Sequence, residues 1–174
     1  HRWKGKHRFE HWYRDNTMYF ITARVRDKFP AFKLKHAAEI FWDRFDFYLT
    51  KFDLLPCVET LMNNHYHAII YAKRGENVGK LIQHLHGSIA KLVNGILPER
   101  HLPFWRTNGN RDYYDGCLRD EKQLRRAYRY TLRQAVRAGI VRRYEDYPNT
   151  RAHISLEETV SRALRCLAIP IDVP

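Results

Sequence analysis

The chain has 174 residues, and its 31 lysines and arginines against 19 aspartates and glutamates give a formal net charge of +12 at pH 7. That length is enough for a single domain with one substantial core, and the positive charge predicts an anionic partner, most commonly nucleic acid. No apolar run approaches the ~18–20 residues that cross a bilayer, which argues against a membrane protein. The three cysteines include no CxxC pair. This pattern excludes a zinc ribbon, argues against a disulfide framework and predicts a reducing, cytosolic setting.

The amino-terminal segment over residues 1–16 is basic and aromatic. It could be an arm that binds a phosphate backbone while Trp3 or Trp12 stacks on a base. A solvated terminus whose aromatic side chains pack against the domain explains the composition equally well. A second basic candidate is the turn after the predicted histidine strand. The candidate DNA-binding residues are Arg2, Lys4, Lys6, Arg8, Arg14, Lys73 and Arg74.

The hydrophobic periodicity predicts alternating strands and helices along the chain. Strands are expected at 17–26 and 56–72, with short edge strands at 104–106 and 113–118, and helices at 35–55, 78–96, 120–138 and 156–166. On the second of these helices we expect His84 and His86 to be solvated. Helices packed on a mainly antiparallel sheet make the predicted fold class α+β. The predicted organisation is an arm at 1–16, a catalytic domain at 17–145 and a carboxy-terminal tail at 146–174.

Two histidines lie in the predicted strand around LMNNHYHAIIY at 61–71. Side chains alternate along a strand, so His65 and His67 project from one face and Tyr66 from the other. Two imidazoles in this arrangement can hold one divalent cation through neutral ring nitrogens. Two surface histidines on a half-buried strand fit the spacing as well. Apolar flanks on both faces favour a central strand, in which a polar pair needs partners.

The helix predicted at 120–138 carries a second group of candidate residues. Tyr130 and Gln134 are four residues apart and share a helix face, whereas Tyr128 points nearly the other way. A phenol beside a divalent metal can attack a phosphodiester, and a carboxamide oxygen can join two imidazoles as a third ligand. An amphipathic tyrosine at the edge of the core is the ordinary alternative. At the helix ends, Asp120 and Gln123 fit a capping box and Gly139 fits a left-handed cap.

Together these residues resemble the HUH single-tyrosine transposases. That family carries a His-hydrophobic-His motif on a central strand, a nucleophilic tyrosine on a later helix, and often a Gln or Asn one turn beyond it. His65-Tyr66-His67, Tyr130 and Gln134 match in this order. The narrower resemblance is to the REP-associated tyrosine transposases, and it covers roughly residues 10–145. It rests on Phe104-Trp105, Tyr114-Asp115, Leu118-Arg119-Asp120-Glu121, Arg129-Tyr130 and Val136-Arg137-Ala138-Gly139-Ile140-Val141.

This chain departs from the family pattern at two places. Tyr66 stands where the motif usually has an aliphatic residue, and Gln134-Ala135 stands where the branch usually has Asn-Pro. Tyr66 is bulky and apolar enough for the position. The assignment of Gln134 as a ligand rests on the chemistry of its carboxamide as well as on the resemblance.

The resemblance implies a ferredoxin-like antiparallel sheet whose central strand presents the histidines to the tyrosine helix. It implies metal-dependent cleavage and rejoining of single-stranded DNA next to hairpins of the repetitive extragenic palindrome type. Tyr130 would attack the scissile phosphate, leaving a 5′-phosphotyrosine link and a free 3′-hydroxyl. The implied cofactor is Mg²⁺ or Mn²⁺ on His65, His67 and Gln134. The implied partners are single-stranded DNA with hairpins, bound by a monomer or homodimer in a bacterial cytoplasm, at the nucleoid.

Two other functions are compatible with the sequence. A plasmid replication initiator or relaxase-like nicking enzyme shares the HUH chemistry, although relaxases place their tyrosine nearer the amino terminus. A non-catalytic DNA- or RNA-binding module on the same fold would use His65 and His67 only as structural residues. Metal-dependent nicking of single-stranded oligonucleotides would separate the enzymes from the binding module.

Overall fold

The computed structural model describes residues 13–107 and 113–167. Five antiparallel strands form one sheet in the order β4-β1-β3-β2-β5. The strands are β1 (Thr17–Arg24), β2 (Leu54–Leu61), β3 (His65–Ala72), β4 (Tyr113–Cys117) and β5 (Thr150–Ala152). The helices are α1 (Lys35–Lys51), α2 (Glu76–Asn94), α3 (Glu121–Leu132), α4 (Gln134–Arg137) and α5 (Leu156–Leu167). The α+β class expected from the sequence is confirmed. No helix of these two ranges has the length and apolar content needed to cross a membrane.

The histidine strand β3 lies at the centre of the sheet, between β1 and β2. It pairs along its whole length with β1, so that Thr22 lies opposite His67 and Arg24 lies opposite His65. On its other side Thr60 of β2 lies opposite His67. The central position predicted from the apolar flanks is therefore confirmed. Hydrogen bonds to both neighbours fix the backbone that carries the two histidines.

Helices α1 and α2 cover one face of the sheet and enclose the larger core, into which Tyr66 points. The hydroxyl of Tyr66 lies 2.9 Å from Nε2 of His86. His86 is only 3% exposed, and Trp105 stacks on it with ring centroids 4.3 Å apart. The expectation that His86 is solvated was therefore wrong, whereas His84 is exposed. The apolar stripe of α2 is broad enough to include His86, which gains an aromatic environment and a phenol partner there.

The second face of the sheet is covered only in part, by α3 and α5. A smaller core joins these helices to the sheet through Met18, Cys57, Val58, Ile69, Leu124, Tyr128, Val160 and Ala163. Toward the β4 side, Phe20, Thr22 and Arg24 of β1 remain partly accessible on this face. His65 and His67 project from the same face, because side chains alternate along each strand. The two histidines therefore lie where the part of the sheet covered by α3 and α5 ends.

The helix predicted at 120–138 is two helices in the structure. Its amino-terminal cap is confirmed, because the side chain of Asp120 accepts a hydrogen bond from the Gln123 amide at 2.8 Å. Gly139, with φ of 72°, adopts the expected left-handed conformation. The single-helix expectation was wrong at Arg133, whose φ of −99° and ψ of 10° separate α3 from α4. Gln134 is consequently the first residue of a separate short helix.

The segment predicted as a carboxy-terminal tail contributes β5 and α5 to the domain. Its strand is anchored by Glu59, which is 1% exposed and accepts a hydrogen bond from Nε of Arg151 at 2.9 Å. The other carboxylate oxygen of Glu59 lies 2.9 Å from Nε2 of His153. The guanidinium of Arg151 also lies 4.0 Å from the ring centroid of Trp42. One buried carboxylate thus ties β5 to the edge of the sheet.

We expect Arg151→Ala to lower the free energy of unfolding by about 3 kcal/mol, because it removes the main partner of a buried carboxylate. Urea unfolding at constant slope would measure the change. Arg143→Ala is the matched control, since Arg143 pairs with Glu145 at the surface, and it should leave the free energy of unfolding nearly unchanged. A wild-type midpoint for Arg151→Ala would show that Glu59 does not need this partner.

Candidate active site

His65 and His67 lie side by side on β3, with ring centroids 5.0 Å apart. His67 is 5% exposed, and neither of its ring nitrogens has a hydrogen-bond partner within the described part of the chain. Nδ1 of His65 lies 2.6 Å from Oδ1 of Asn64. A carboxamide oxygen can only accept, so Nδ1 of His65 carries the proton and Nε2 carries the lone pair. Buried polar atoms without partners are rare in folded proteins, and a ligand is one common explanation.

Both histidines are neutral at neutral pH. Burial lowers the pKa of His65 to about 4, and the nearby charge of Arg24 lowers it in the same direction. Burial also lowers the pKa of His67 to about 3, with further contributions from His65 and Arg24. The neutral imidazole is the form that gives a nitrogen lone pair to a metal ion. The environment therefore keeps both imidazoles in the neutral form that can bind a metal ion.

Tyr130 lies beside these histidines. Its ring centroid is 5.2 Å from that of His67 and 6.4 Å from that of Phe20, in edge-to-face geometry. The residue is 38% exposed, so a large substrate can approach it. The guanidinium of Arg137 lies 5.1 Å from the ring centroid of Tyr130. Helix α3 thus presents Tyr130 at the open edge of the site.

Tyr128 points to the other side of α3. It is 4% exposed, and its hydroxyl donates a hydrogen bond to the carbonyl oxygen of Ile154 at 2.6 Å. Burial raises the pKa of Tyr128 to about 12. The opposite orientations of the two tyrosines, expected from helical spacing, are those of the structure. Tyr128 holds the segment before α5 in place and is closed to a substrate.

Gln134 joins the same group from α4. Its Nε2 donates a hydrogen bond to the carbonyl oxygen of Tyr130 at 3.1 Å, and its side chain lies close enough to His65 to affect the pKa of that imidazole. The structure therefore brings all four predicted residues, His65, His67, Tyr130 and Gln134, to one place on the second face of the sheet. The helix break at Arg133 does not separate Gln134 from the histidines.

The residues present fit a divalent cation. Two neutral imidazoles and a carboxamide oxygen are suitable ligands, and they leave positions open for other oxygen atoms. The unpartnered nitrogens of His67 support this fit independently. The residues described contain no cluster of three or more His, Cys, Asp or Glu side chains that could hold a metal. Among the described side chains, the carboxamide of Gln134 is therefore the candidate for a third ligand.

The three predicted DNA-binding residues that the structure describes do not lie at this site. Lys73 and Arg74 follow the far end of β3, about 20 Å from His67 at the usual rise per strand residue. Arg14 lies beside them, since its backbone approaches Gly75. Arg74 forms an ion pair with Glu76 at 2.8 Å. The remaining candidates, Arg2, Lys4, Lys6 and Arg8, lie outside the described residues.

Sequence reasoning missed the basic side chains that surround Tyr130. Arg24 lies on β1 next to the histidines, and the exposed side of α3 and α4 lines an open cavity of about 990 Å³ that includes Tyr130. The basic residues that line it are Lys122, Arg125, Arg126, Arg129, Arg133 and Arg137. Their spacing was a usable signal, because Arg126 is four residues from Tyr130 and Arg129, Arg133 and Arg137 follow one another at intervals of four.

Comparison with solved structures shows a likeness in fold. The structure of a REP-associated tyrosine transposase bound to a REP hairpin matches with a TM-score of 0.66 at 14% identity, over 95% of this chain and 90% of that one. The crystal structure of a candidate transposase from Deinococcus radiodurans matches with a TM-score of 0.49 at 13% identity, over 70% of this chain and 88% of that one. No family model and no curated protein sequence matches the chain. The chain therefore has the α+β fold of a REP-associated tyrosine transposase.

Proposed function

We propose that this protein cleaves and rejoins single-stranded DNA next to hairpins, with Tyr130 as the nucleophile. The observation that carries the proposal is the position of the Tyr130 ring 5.2 Å from His67, whose two ring nitrogens have no partner in the described residues. The fold supports it, because a transposase of the same fold was solved with a REP hairpin bound. The net charge of +12 suits a polyanionic substrate.

The reaction is an exchange of phosphodiester bonds. The Tyr130 hydroxyl loses its proton to solvent and its oxygen bonds to phosphorus, while the bond from phosphorus to the 3′-oxygen breaks and that oxygen takes up a proton. The product is a 5′-phosphotyrosine and a free 3′-hydroxyl. Attack by a 3′-hydroxyl reverses the step and restores a phosphodiester. No ATP is needed, because one phosphate ester replaces another.

The residues around Tyr130 have separate tasks. His65, His67 and Gln134 would hold Mg²⁺ or Mn²⁺, which when bound acts as a Lewis acid toward the phosphate oxygens. Arg24 provides a fixed positive charge beside the histidines, where negative charge develops on the phosphate. Arg137 packs on the ring of Tyr130 and limits the directions in which its hydroxyl can point.

The proposal is tested by incubating the protein with a pool of single-stranded oligonucleotides that contain hairpins, in Mg²⁺ or Mn²⁺. We expect a covalent protein–DNA band on a denaturing gel, a released fragment that ends in a 3′-hydroxyl, and loss of both on chelation. Rejoining is read from the formation of longer DNA when a second oligonucleotide with a 3′-hydroxyl is added. Hairpins that are bound but never cut would instead support a non-catalytic binding module.

The arm over residues 1–16 and the turn at Lys73-Arg74 remain predicted DNA contacts. Each phosphate that they neutralise should add about 0.7 to the slope of log affinity against log salt for a single strand, or about 0.9 for duplex DNA. We therefore expect a chain that lacks residues 1–12 to bind hairpin oligonucleotides more weakly and with a shallower slope. Titrations at several salt concentrations measure both. Unchanged affinity and slope would mean that the arm makes no DNA contact.

A further inference from the structure

The exposed side of α3 and α4 carries four arginines that lack acidic partners in the described residues. We refer to Arg126, Arg129, Arg133 and Arg137 as the α3 arginine surface. All four side chains are exposed, and all four line the cavity of about 990 Å³ that also includes Tyr130. Arg137 is the one that contacts the Tyr130 ring. The surface therefore begins at the candidate nucleophile and extends toward the start of α3.

The neighbouring Arg125 differs from these four arginines because it is paired with acidic side chains on α3 and α5. Arg125 bonds Glu121 at 2.7 Å and both carboxylate oxygens of Glu157, at 2.6 and 2.9 Å. Arg125 is the main cause of the lowered pKa of Glu157, and the charge of Arg129 adds a smaller lowering. Among the described residues no hydrogen bond or ion pair joins Arg129 to a carboxylate, so its donors can bind a ligand. The pairing of Arg125 thus separates one structural arginine from the four of the surface.

Arginines that repeat along one helix face repel each other. Arg129 lies on α3, Arg133 at the break and Arg137 on α4. Backbone hydrogen bonds from Arg133 to Arg129 and from Arg137 to Arg133 keep the spacing of four residues across the break, and like charges at that spacing are destabilising. Within the described ranges no acidic side chain offsets this repulsion by pairing with them. A bound polyanion would offset it, and guanidinium groups bind phosphate oxygens through paired hydrogen bonds. The open cavity is lined from Glu121 to Arg137 along α3 and α4, so it follows the helices and suits an extended chain of phosphates better than a compact anion.

We propose that the α3 arginine surface binds the phosphate backbone of the single-stranded segment that adjoins the scissile phosphate. This inference rests on the proposed function, because it takes Tyr130 as the point of cleavage. The Tyr130 ring contacts both His67 and Arg137, so the phosphate that it attacks would lie close to β3 and α4. An unpaired strand can bend into that space, whereas a duplex holds its phosphates at a fixed radius. The surface keeps the segment in place between cleavage and rejoining.

The test uses binding alone, in the full-length chain with Tyr130→Phe, so that cleavage does not alter the probe. In this background Arg126, Arg129 and Arg133 are each replaced by Gln, and Arg137 is kept because it contacts the ring. The probes are a fluorescein-labelled oligothymidylate and a blunt-ended hairpin without single-stranded flanks. For the oligothymidylate we expect the log–log salt slope to fall by about two units, from about 0.7 for each of three lost phosphate contacts. Affinity at low salt should fall about tenfold or more, while the blunt hairpin should be bound nearly as before.

The control variant has the same net charge. It replaces Lys35, Lys51 and Lys91 by Gln, three exposed lysines on α1 and α2, and it should bind oligothymidylate nearly as the parent does. Equal losses in the two triple variants would overturn the proposal in favour of net charge alone. Equal losses on oligothymidylate and on the blunt hairpin would overturn the assignment to a single strand. Unchanged binding in the arginine variant would show that the α3 arginine surface does not bind DNA.

Failure of the proposed chemistry has a different signature. If the unmodified chain forms no covalent adduct with any hairpin oligonucleotide, but oligothymidylate binding still depends on the three arginines, the binding surface stands and the phosphotyrosine step falls. If the adduct forms and binding does not depend on the arginines, the phosphotyrosine step stands and the proposed binding surface is wrong. Circular dichroism and urea unfolding of both triple variants would confirm that these exposed substitutions leave the fold intact.

Discussion

Tyr130→Phe is expected to abolish the covalent protein–DNA adduct, whereas Tyr128→Phe is expected to leave it in place. The first change removes only a hydroxyl from a half-exposed ring beside His67. DNA affinity should be retained, because it depends mainly on phosphate contacts. Loss of the nucleophile removes the covalent route entirely, so the adduct band on a denaturing gel should fall below detection. Binding measured on the same protein preparation shows that the substrate is still held.

Tyr128→Phe is the matched control on the same helix. It removes the hydrogen bond from the Tyr128 hydroxyl to the carbonyl oxygen of Ile154. We expect a loss of about 1 kcal/mol in the free energy of unfolding and no loss of adduct. The two variants thus separate chemistry from stability at positions two residues apart. An adduct that persists in Tyr130→Phe and disappears in Tyr128→Phe would reverse the assignment and remove Gln134 from the site.

The double variant His65→Ala/His67→Ala is expected to eliminate metal-dependent cleavage while largely preserving DNA affinity. The two imidazoles supply two of the three candidate ligands, and one carboxamide cannot hold Mg²⁺ or Mn²⁺ alone. A readout independent of DNA is thermal stability. Mn²⁺ should raise the melting temperature of the unsubstituted protein, because a ligand that binds only the folded state stabilises it, and should have no effect on the double variant.

His84→Ala provides the control for this experiment. His84 is an exposed histidine on α2, on the opposite face of the sheet. Its removal should change neither cleavage nor the response of the melting temperature to Mn²⁺. Cleavage retained in the double variant would contradict the metal assignment. An equal stabilisation by Mn²⁺ in wild type and in the double variant would place the metal elsewhere.

The sequence predicted the centre of the fold because the relevant signals are local. Alternation along β3 placed His65 and His67 on one face, and the spacing of four along the tyrosine helix placed Tyr130 and Gln134 together. The cap at Asp120 depends on residues only three apart. Each of these features follows from backbone geometry within one element. The resemblance to a known family then related the two elements to each other.

The features that the sequence did not predict depend on contacts between distant elements. His86 is buried because Tyr66 and Trp105, far from it in sequence, surround its ring. The helix break at Arg133 follows no glycine or proline, and we found no local signal for it. The basic surface around Tyr130 was not predicted, because the spacing of its arginines does not show which of them are paired with acids. Only the structure shows that Arg125 is paired, whereas Arg126 and Arg129 have no acidic partner in the part of the chain that it describes.

The unequal size of the two cores has a consequence for motion. Strand β3, which carries both histidines, is hydrogen-bonded on both sides and packs on the larger core, whereas α3 packs on the sheet through the smaller core. Regions with less buried apolar surface open at lower free energy, so the amide protons of α3 should exchange with solvent sooner than those of β3. Such an opening would carry Tyr130 away from the histidines without unfolding the strand. A DNA end attached to Tyr130 could then move between two partners while both imidazoles keep their positions.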